Sequence, residues 1–326
     1  MAKGNQHLKI YFSNTMSYLL NLMVLLVLIL PFLPIETTTW WLDNLSSLQL
    51  QWSVAALVLL AFNIKKAKKY FGMLTVLLIT VIYLQRPASY AANTEVLTAP
   101  SLKIAQLNIH YQNPHLEPLL SRLNAADFDL LVLQEVGNDQ RQKITTLKQA
   151  YPYFISDSSN GDLALFSKWP IVEQKIHDLG YQGGHIIEVI IQSPKTNNPV
   201  HIFTLHPVSP RNAELWQLRN STLNYVAEQA FASLLQYKII VGDLNTTPWS
   251  AQFKALQKNS LLTYSDNAFS YIPSWSYSEK NPLLSLLSSA YIDHCLISAA
   301  FAVISKDYQR VPGSDHQLLI TELGMR

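Results

Sequence analysis

Three long apolar runs, residues 18–35, 48–64 and 70–84, lie near the start of the chain, and none of them contains a charged side chain. The first two are long enough to cross a hydrocarbon core of about 30 Å at about 1.5 Å per helical residue, and the third is marginal. Apolar side chains occupy every face of these segments, without a polar stripe at helical spacing. This pattern favours membrane spans over buried core helices.

The basic residues predict an orientation for these spans. Lys3 and Lys9 precede the first run and residues 65–69, KKAKK, precede the third, whereas residues 36–44 between the first two runs contain no Lys or Arg. Because basic loops stay on the cytoplasmic side, three spans place the N-terminus inside and everything after residue 90 outside. We therefore expect a multi-pass protein of the cytoplasmic (inner) membrane whose larger part is extracytoplasmic.

The third run also has the features of a signal segment, namely a basic flank, a short apolar core and small residues at 88–92. Arg86, between the apolar run and those small residues, favours retention over cleavage. The predicted organisation is a membrane region at 1–85, a linker at 86–100 that is small, polar and bounded by prolines, and a globular domain at 101–326.

Net charge changes at the same boundary. Residues 1–100 hold 7 Lys and Arg against 3 Asp and Glu, a balance of +4, and the remainder holds 17 against 19, a balance of −2. The globular part therefore shows no polybasic character of the kind that drives nonspecific nucleic-acid binding. The single cysteine, Cys295, excludes an intramolecular disulfide and a cysteine zinc cluster.

Short apolar runs of the β type alternate with helical segments after residue 100. The predicted strands are 102–108, 129–135, 162–167, 185–191, 200–206, 238–245, 291–298 and 316–322. The predicted helices are 115–125, 212–235 and 249–259, with Asn212 as the cap of the second. This order and count predict an α/β fold of two packed mixed β-sheets flanked by helices, a four-layer α/β/β/α sandwich.

Polar residues lie at or near the ends of these apolar strands, where a sheet holds side chains rigidly at the edge of the fold. They are Asn108, Glu135, His206, Asp243, Asn245, Asp293, His294, Asp315 and His316. A lone strand-end Asn or Asp is usually a turn residue. Together, carboxylates and a carboxamide without cysteine suit Mg²⁺ or Mn²⁺, and the histidines beside them favour phosphoester hydrolysis.

The motifs IAQLNIH, DLLVLQEV, DLALFSKWPI, FTLHPVSPR, IIVGDLNTTP, YIDHCLIS and GSDHQLLI occur in this order. Their order and approximate spacing resemble the endonuclease/exonuclease/phosphatase superfamily over residues 101–326. That superfamily includes DNase I-like nucleases, inositol polyphosphate phosphatases and bacterial sphingomyelinases.

The resemblance implies a role for each matching residue. Asn108, Glu135 and Asp315 would hold the divalent cation, with Glu135 as its main ligand. Asp243 would orient or deprotonate the attacking water, and Asn245 would donate a hydrogen bond to the scissile phosphate. His316, fixed by Asp293 behind it, would contact a phosphate oxygen, and His206 would act from the other side as a second donor or general acid.

Five further residues have weaker assignments. His110 stands where some family members carry an acidic residue that supports the metal, which leaves the metal preference open. Ser167 and Lys168 are secondary candidates because their segment supports the site in the family. We expect His294 to face the opposite side of its strand and to pack in the core. Arg211 is either a phosphate-binding residue or an ordinary surface residue at a helix start.

These observations leave three functions to compare. The first is a membrane-anchored, divalent-metal-dependent phosphodiesterase or nuclease. The second is a lipid-headgroup phosphatase or a sphingomyelinase-like or phospholipase C-like enzyme, for which the leucine-rich segment 281–291 could enter the bilayer interface. The third, a non-catalytic binding module, is disfavoured because the metal-ligand and histidine positions are all present. The sequence leaves the substrate and the oligomeric state open.

Overall fold

The structure is a computed structural model of the whole chain. It describes residues 15–16, 19–33, 39–63, 72, 75, 79, 100–157, 162–180, 184–265, 273–277 and 282–326. The chain divides into two units. One comprises Met1–Arg86 with Trp249–Ala251, and the other comprises Pro87–Pro248 with Gln252–Arg326.

The described part of the first unit is helical. Residues 19–29 form a helix that continues into a 3-10 turn at Leu30–Phe32, and α1 (Trp40–Ser47) and α2 (Gln49–Asn63) follow. Within the described residues, no helix has both the length and the apolar character needed to cross a membrane. The third apolar run of the sequence lies outside the described residues apart from isolated positions.

The second unit contains fourteen strands among its described residues. They are β1 (Ser101–Asn108), β2 (Leu130–Gln134), β3 (Tyr153–Ser156), β4 (Ala164–Ser167), β5 (Ile171–Asp178), β6 (His185–Gln192), β7 (Pro199–Leu205), β8 (Tyr237–Asp243), β9 (Thr263–Tyr264), β10 (Trp275–Ser276), β11 (Ser289–Ala290), β12 (Asp293–Ile297), β13 (Phe301–Arg310) and β14 (Gln317–Met325).

Its helices lie between the strands in sequence. They are α3 (Leu116–Ala125), α4 (Asn138–Arg141), α5 (Ala213–Ala232), α6 (Ala251–Ser260) and α7 (Pro282–Leu287), with a 3-10 segment at Lys143–Gln149. The predicted cap of α5 is confirmed, because the Asn212 side chain accepts a hydrogen bond from the Leu215 backbone N–H at 2.9 Å.

Two six-stranded sheets and one small hairpin organise this unit. The first sheet has the order β13-β14-β1-β2-β4-β3, the second has the order β5-β6-β7-β8-β12-β9, and β10 pairs with β11. Both large sheets are mixed, since β1 and β2 run parallel in the first and β7 and β8 run parallel in the second, whereas the other neighbouring pairs are antiparallel. The predicted pair of mixed sheets is confirmed.

Side chains alternate between the two faces of each strand, and the apolar ones form three layers. Leu102 and Ile104 of β1 join a core shared with the second sheet, whereas Ala105 and Leu107 of the same strand face α3. The outer side of the second sheet packs against α5 and α6 in the same way. The result is the predicted four-layer arrangement, with helices on both outer faces.

Candidate active site

The functional side chains lie at one end of the two sheets because of strand direction. The parallel strands β1 and β2 end at Asn108 and Gln134, and β7 and β8 end beside His206 and at Asp243. Antiparallel neighbours start at that same end, so Asp293 opens β12 opposite Asp243 in the register. Residues distant in sequence are thereby brought together at one edge.

Asp243 occupies the centre of this group. Its Oδ2 lies 3.4 Å from His206 Nε2, 3.7 Å from His316 Nε2 and 3.3 Å from Asn108 Nδ2. Its Oδ1 accepts a hydrogen bond from the Asn245 backbone N–H at 3.0 Å. One carboxylate oxygen therefore lies within 4 Å of two imidazole nitrogens and one amide nitrogen.

The backbone around Asp243 has little freedom. Gly242 has φ +155°, and a Cβ at this position would lie 2.2 Å from the carbonyl oxygen of Leu205 on the neighbouring strand. Glu135, His110 and Asn245 all have positive φ, a conformation that costs free energy for residues with side chains. Such strain is common where a fold holds functional groups in place.

His316 is anchored from behind by a carboxylate that has a second partner. Its Nδ1 lies 2.8 Å from Asp293 Oδ2, and its backbone N–H donates to Ser314 Oγ at 3.0 Å. The other Asp293 oxygen, Oδ1, accepts from Gln106 Nε2 at 2.5 Å. The imidazole is therefore oriented with Nε2 toward Asp243.

His206, the second imidazole beside Asp243, has a matching arrangement. Its Nδ1 lies 2.5 Å from Asp162 Oδ2, which also accepts from the Tyr111 hydroxyl at 2.8 Å. Neither Asp162 nor Tyr111 is predicted from the sequence as a site residue. The available signal is that Asp162 is the first residue of the DLALFS motif, before a strand that starts at the site edge.

Charge interactions and hydrogen bonds outweigh burial in setting the pKa values of Asp243, His316 and His206. Burial alone would raise the pKa of Asp243, but the hydrogen bond from His206 and the charge of His316 lower it to about 2. Burial opposes protonation of His316, yet the charge of Asp293 and its hydrogen bond raise the pKa to about 9. Against the same burial, Asp162 raises the pKa of His206 well above its usual value. At neutral pH one carboxylate thus lies between two imidazolium groups.

The candidate ligand atoms also indicate where a divalent cation would fit. Asp243, Asp293 and His316 each offer a ligand atom, and these atoms lie within 4.8 Å of one another. However, Asp293 is fully buried behind the His316 ring, and a protonated His316 has no lone pair at Nε2 with which to ligate. This triad is therefore a hydrogen-bonded array rather than a cation cage.

Glu135 is a better ligand for a hard cation than Asp293, because Glu135 is only half-buried whereas Asp293 is fully buried. Its Oε1 accepts from Asn108 Nδ2 at 3.0 Å and its Oε2 accepts from the Tyr111 backbone N–H at 3.4 Å. Asn108 bridges Glu135 and Asp243 with its amide nitrogen, while its oxygen accepts from the His110 backbone N–H. Asn108 therefore acts as a donor in this orientation and could ligate a cation only with its amide reversed. One or two carboxylates, completed by water and substrate phosphate, are enough for Mg²⁺.

Two other predicted site residues have partners beside the central group. Asn245 Nδ2 donates to the Pro207 carbonyl at 2.9 Å, which ties the end of β8 to the segment after His206. Asp315 precedes His316, and its Oδ2 accepts from the Trp275 indole at 2.7 Å. Asp315 is therefore adjacent to the site and held by the β10 segment.

The remaining candidates have different surroundings. The Ser167 hydroxyl forms hydrogen bonds with the backbone of Trp169, and Lys168 forms an ion pair with Asp127. Ser167 and Lys168 lie at the opposite end of β4 from Asp162. His294 is buried with its ring against Phe253, as predicted for a core residue. Arg211 is exposed just before α5.

The sequence matches a family model over residues 105–316, the Endonuclease/Exonuclease/phosphatase family. The chain belongs to this family. The resemblance inferred from the motifs is thereby confirmed. No curated protein sequence matches the chain significantly.

Solved structures similar to this chain have the same fold. An endonuclease/exonuclease/phosphatase from Bacteroides vulgatus has 13% identity and a TM-score of 0.58, over 70% of this chain and 100% of that chain. Sphingomyelinase C from Streptomyces griseocarneus has 18% identity and a TM-score of 0.51, over 70% and 100%. A mutant beta toxin from Staphylococcus aureus with bound magnesium ions has 16% identity and a TM-score of 0.51, over the same shares. At these identities the likeness shows the fold alone.

Proposed function

We propose that the protein is a divalent-metal-dependent phosphodiesterase in which Asp243 orients the attacking water between two imidazolium donors. The observation that carries this proposal is the position of Asp243 Oδ2 between His206 Nε2 and His316 Nε2 at 3.4 and 3.7 Å. An anionic acceptor flanked by two cationic donors matches a reaction in which water attacks a phosphorus whose oxygens gain negative charge.

Each of these side chains has a separate role in the proposed reaction. Asp243, ionised above a pKa of about 2, accepts a hydrogen bond from the water, aligns it for attack and takes its proton as the bond from the water oxygen to phosphorus forms. After the leaving group departs, this proton passes to His206, whose Nε2 lies 3.4 Å from Asp243 Oδ2. His316 donates from Nε2 to a non-bridging phosphate oxygen, and the second amide hydrogen of Asn245 donates to another. His206 transfers a proton to the leaving oxygen as the bond from phosphorus to that oxygen breaks, and Asp162 stabilises its charged form.

Glu135 is the principal ligand that we assign to the cation, which we propose to be Mg²⁺ or Mn²⁺. Asp315, once released from Trp275, and Asn108, with its amide reversed, could complete the set. When bound, the ion supplies positive charge to the phosphate oxygens. The magnesium ions bound to the structurally similar beta toxin support this choice.

The test is hydrolysis of DNA, RNA, phosphoinositides, sphingomyelin and bis-p-nitrophenyl phosphate by the full chain, with Mg²⁺, with Mn²⁺ and with EDTA. We expect metal-dependent turnover of at least one diester, and a loss of about a thousandfold or more in kcat for Asp243→Asn. Asp127→Asn, which changes an exposed carboxylate paired with Lys168, is the matched control. Absence of turnover on all five substrates, together with unchanged ligand binding by Asp243→Ala, would favour the non-catalytic alternative.

We also propose that the N-terminal apolar runs of the sequence anchor the enzyme in the cytoplasmic membrane with the catalytic domain on the extracytoplasmic side. The charge-free apolar runs and the basic residues between them support this topology. Leu22 and Leu26 of the first helix and Leu57 and Val58 of α2 are exposed apolar side chains that a bilayer would cover. A C-terminal reporter fusion that registers as cytoplasmic, or extraction of the protein by alkaline carbonate, would contradict it.

A second candidate function, hydrolysis of a lipid headgroup, is favoured by a surface next to the site. Tyr277, Leu284 and Leu287 are 77%, 49% and 50% exposed, and they follow Trp275, which contacts Asp315. An apolar group at the rim could enter a bilayer interface and bring the headgroup to the site.

A double Leu284→Glu and Leu287→Glu variant separates the two candidates. A lipid enzyme should lose about tenfold or more in activity on liposomes and keep its activity on bis-p-nitrophenyl phosphate. Leu261→Glu alters an exposed leucine after α6 and is the control. Unchanged liposome activity in the double variant would exclude a role for this surface in lipid binding.

A further inference from the structure

Gln106 is buried directly behind the candidate site. It precedes Asn108 by two residues on β1, so both side chains face the second sheet. Its Nε2 donates to Asp293 Oδ1 at 2.5 Å and lies 3.4 Å from Gln134 Oε1. The contact with Asp293 joins β1 of the first sheet to β12 of the second.

An amide at this position is costly for the fold. The preceding inward positions of β1 are Leu102 and Ile104, and a further apolar residue would simply extend that core. Gln106 Oε1 and Gln134 Nε2 are instead buried without a hydrogen-bond partner among the described residues. A buried polar atom that lacks a partner destabilises a protein, so the amides need a compensating role.

The Asp293 carboxylate is fixed through both of its oxygens. Oδ2 meets His316 Nδ1 and Oδ1 meets the Gln106 amide, and the Asp293 backbone N–H donates to Ser274 Oγ at 3.0 Å. Contacts on two separate oxygens prevent rotation of the carboxylate plane about its bond to Cβ. Only a donor can serve on Oδ1, because the amide oxygen in the reverse orientation would face the anion.

We propose that Gln106 is a positioning residue for the His316–Asp293 pair and that it acts across the two sheets by fixing the Asp293 carboxylate. It does not touch the substrate. Without it, the carboxylate turns, His316 loses a fixed partner, and the placement of Nε2 near Asp243 becomes variable. This inference rests on the proposed function, in which His316 contacts the phosphate.

The kinetic test uses Gln106→Met in the full chain, since methionine keeps the length of the side chain and removes the donor. We expect kcat for bis-p-nitrophenyl phosphate to fall about tenfold, equivalent to ~1.4 kcal/mol, with KM changed less than threefold. In an Asp293→Asn background the same change should lower kcat less than twofold, because the partner of the amide is already altered. A full further tenfold loss in that background, or a change confined to KM, would overturn the proposal.

Thr321→Val is the matched control. Thr321 lies inward on β14, and its hydroxyl is buried without a hydrogen-bond partner among the described residues. Its replacement removes a polar atom from the same inner layer without touching Asp293. We expect unchanged kcat and an unchanged or higher Tm. A tenfold loss in this control would assign the Gln106 effect to general disturbance of the layer.

A spectroscopic test needs no substitution at Gln106 and no activity. In the full chain labelled with ¹⁵N-glutamine, the Gln106 side-chain amide proton should resonate downfield from the other glutamines. That resonance should return to the common range in Asp293→Asn. An unperturbed amide in both proteins refutes the contact, even if Gln106→Met does not fold. If the chain hydrolyses no substrate while the resonance behaves as expected, the proposed function fails and the assignment of Gln106 as the partner of Asp293 remains.

Discussion

Asp162→Asn removes the charge that holds His206 and keeps the size of the side chain. Asp162 Oδ2 lies 2.5 Å from His206 Nδ1, and the two side chains are 17% and 12% exposed. A hydrogen bond to a charged group contributes about 1.5–3 kcal/mol. At about 1.36 kcal/mol per factor of ten, a contribution of this size, if lost from the transition state, lowers kcat about 10- to 160-fold. We expect a loss in this range with a smaller change in KM.

The assay is steady-state hydrolysis of bis-p-nitrophenyl phosphate at pH 7 with saturating Mg²⁺. Asp127→Asn makes the same chemical change at a carboxylate whose side chain is 97% exposed, and it should stay within twofold of the parent protein. Tyr111→Phe removes only one donor from Asp162 and should cost less than Asp162→Asn. A folded Asp162→Asn variant with kcat within twofold of the parent would refute the assignment of Asp162 as the anchor of His206.

Three further predictions concern the backbone, pH and the cation. Gly242→Ala should destabilise the protein by about 3 kcal/mol in urea unfolding and abolish turnover, because its Cβ would overlap a backbone carbonyl of β7; Gly180→Ala, with positive φ but open space, should cost about 1 kcal/mol. Because the folded state raises the pKa of His316, the protonated imidazole stabilises the fold fully below pH 6.5. This contribution is lost as the pH rises to about 9. Because the folded state lowers the pKa of Asp243, its carboxylate stabilises the fold above pH 3.8, and this contribution is lost as the pH falls to about 2. The combined contribution of these two groups to the free energy of unfolding should therefore be highest between pH 3.8 and pH 6.5. Glu135→Gln should raise the Mg²⁺ concentration for half-maximal activity about tenfold or more, measured by metal titration.

The sequence predicted the interior strands better than the edges. Each of its eight strands corresponds to a strand with two neighbours, namely β1, β2, β4 and β14 in the first sheet and β6, β7, β8 and β12 in the second. Of the six missed strands, β3, β5, β9 and β13 are the edges of the two large sheets, and β10 and β11 form the small hairpin. Strand β5 has five consecutive exposed positions, since an edge strand buries little and carries polar residues. Apolar runs reveal strands only where both sides are covered.

Apolar runs also indicate the part of the site that lies at strand ends. Asn108, Glu135, His206 and Asp243 follow apolar runs in the chain, so their position at strand ends can be read locally. The partners that orient the histidines cannot be found in this way. Gln106 lies inside a strand and meets Asp293 187 residues later, and this contact depends on how one sheet packs on the other. A single sequence contains no measure of that packing.

Formal charge at the site connects the hydrogen-bonded array with the cation. Five carboxylates, those of Asp162, Asp243, Asp293, Glu135 and Asp315, surround the imidazolium groups of His206 and His316, which leaves a formal charge of −3. An incoming phosphodiester anion is therefore repelled unless another positive charge is present. A divalent ion at Glu135 reduces this charge to −1, so it should strengthen substrate binding as well as the chemical step. We expect KM for bis-p-nitrophenyl phosphate to fall as Mg²⁺ rises toward saturation, and a KM independent of Mg²⁺ would show that the cation does not serve to neutralise this site.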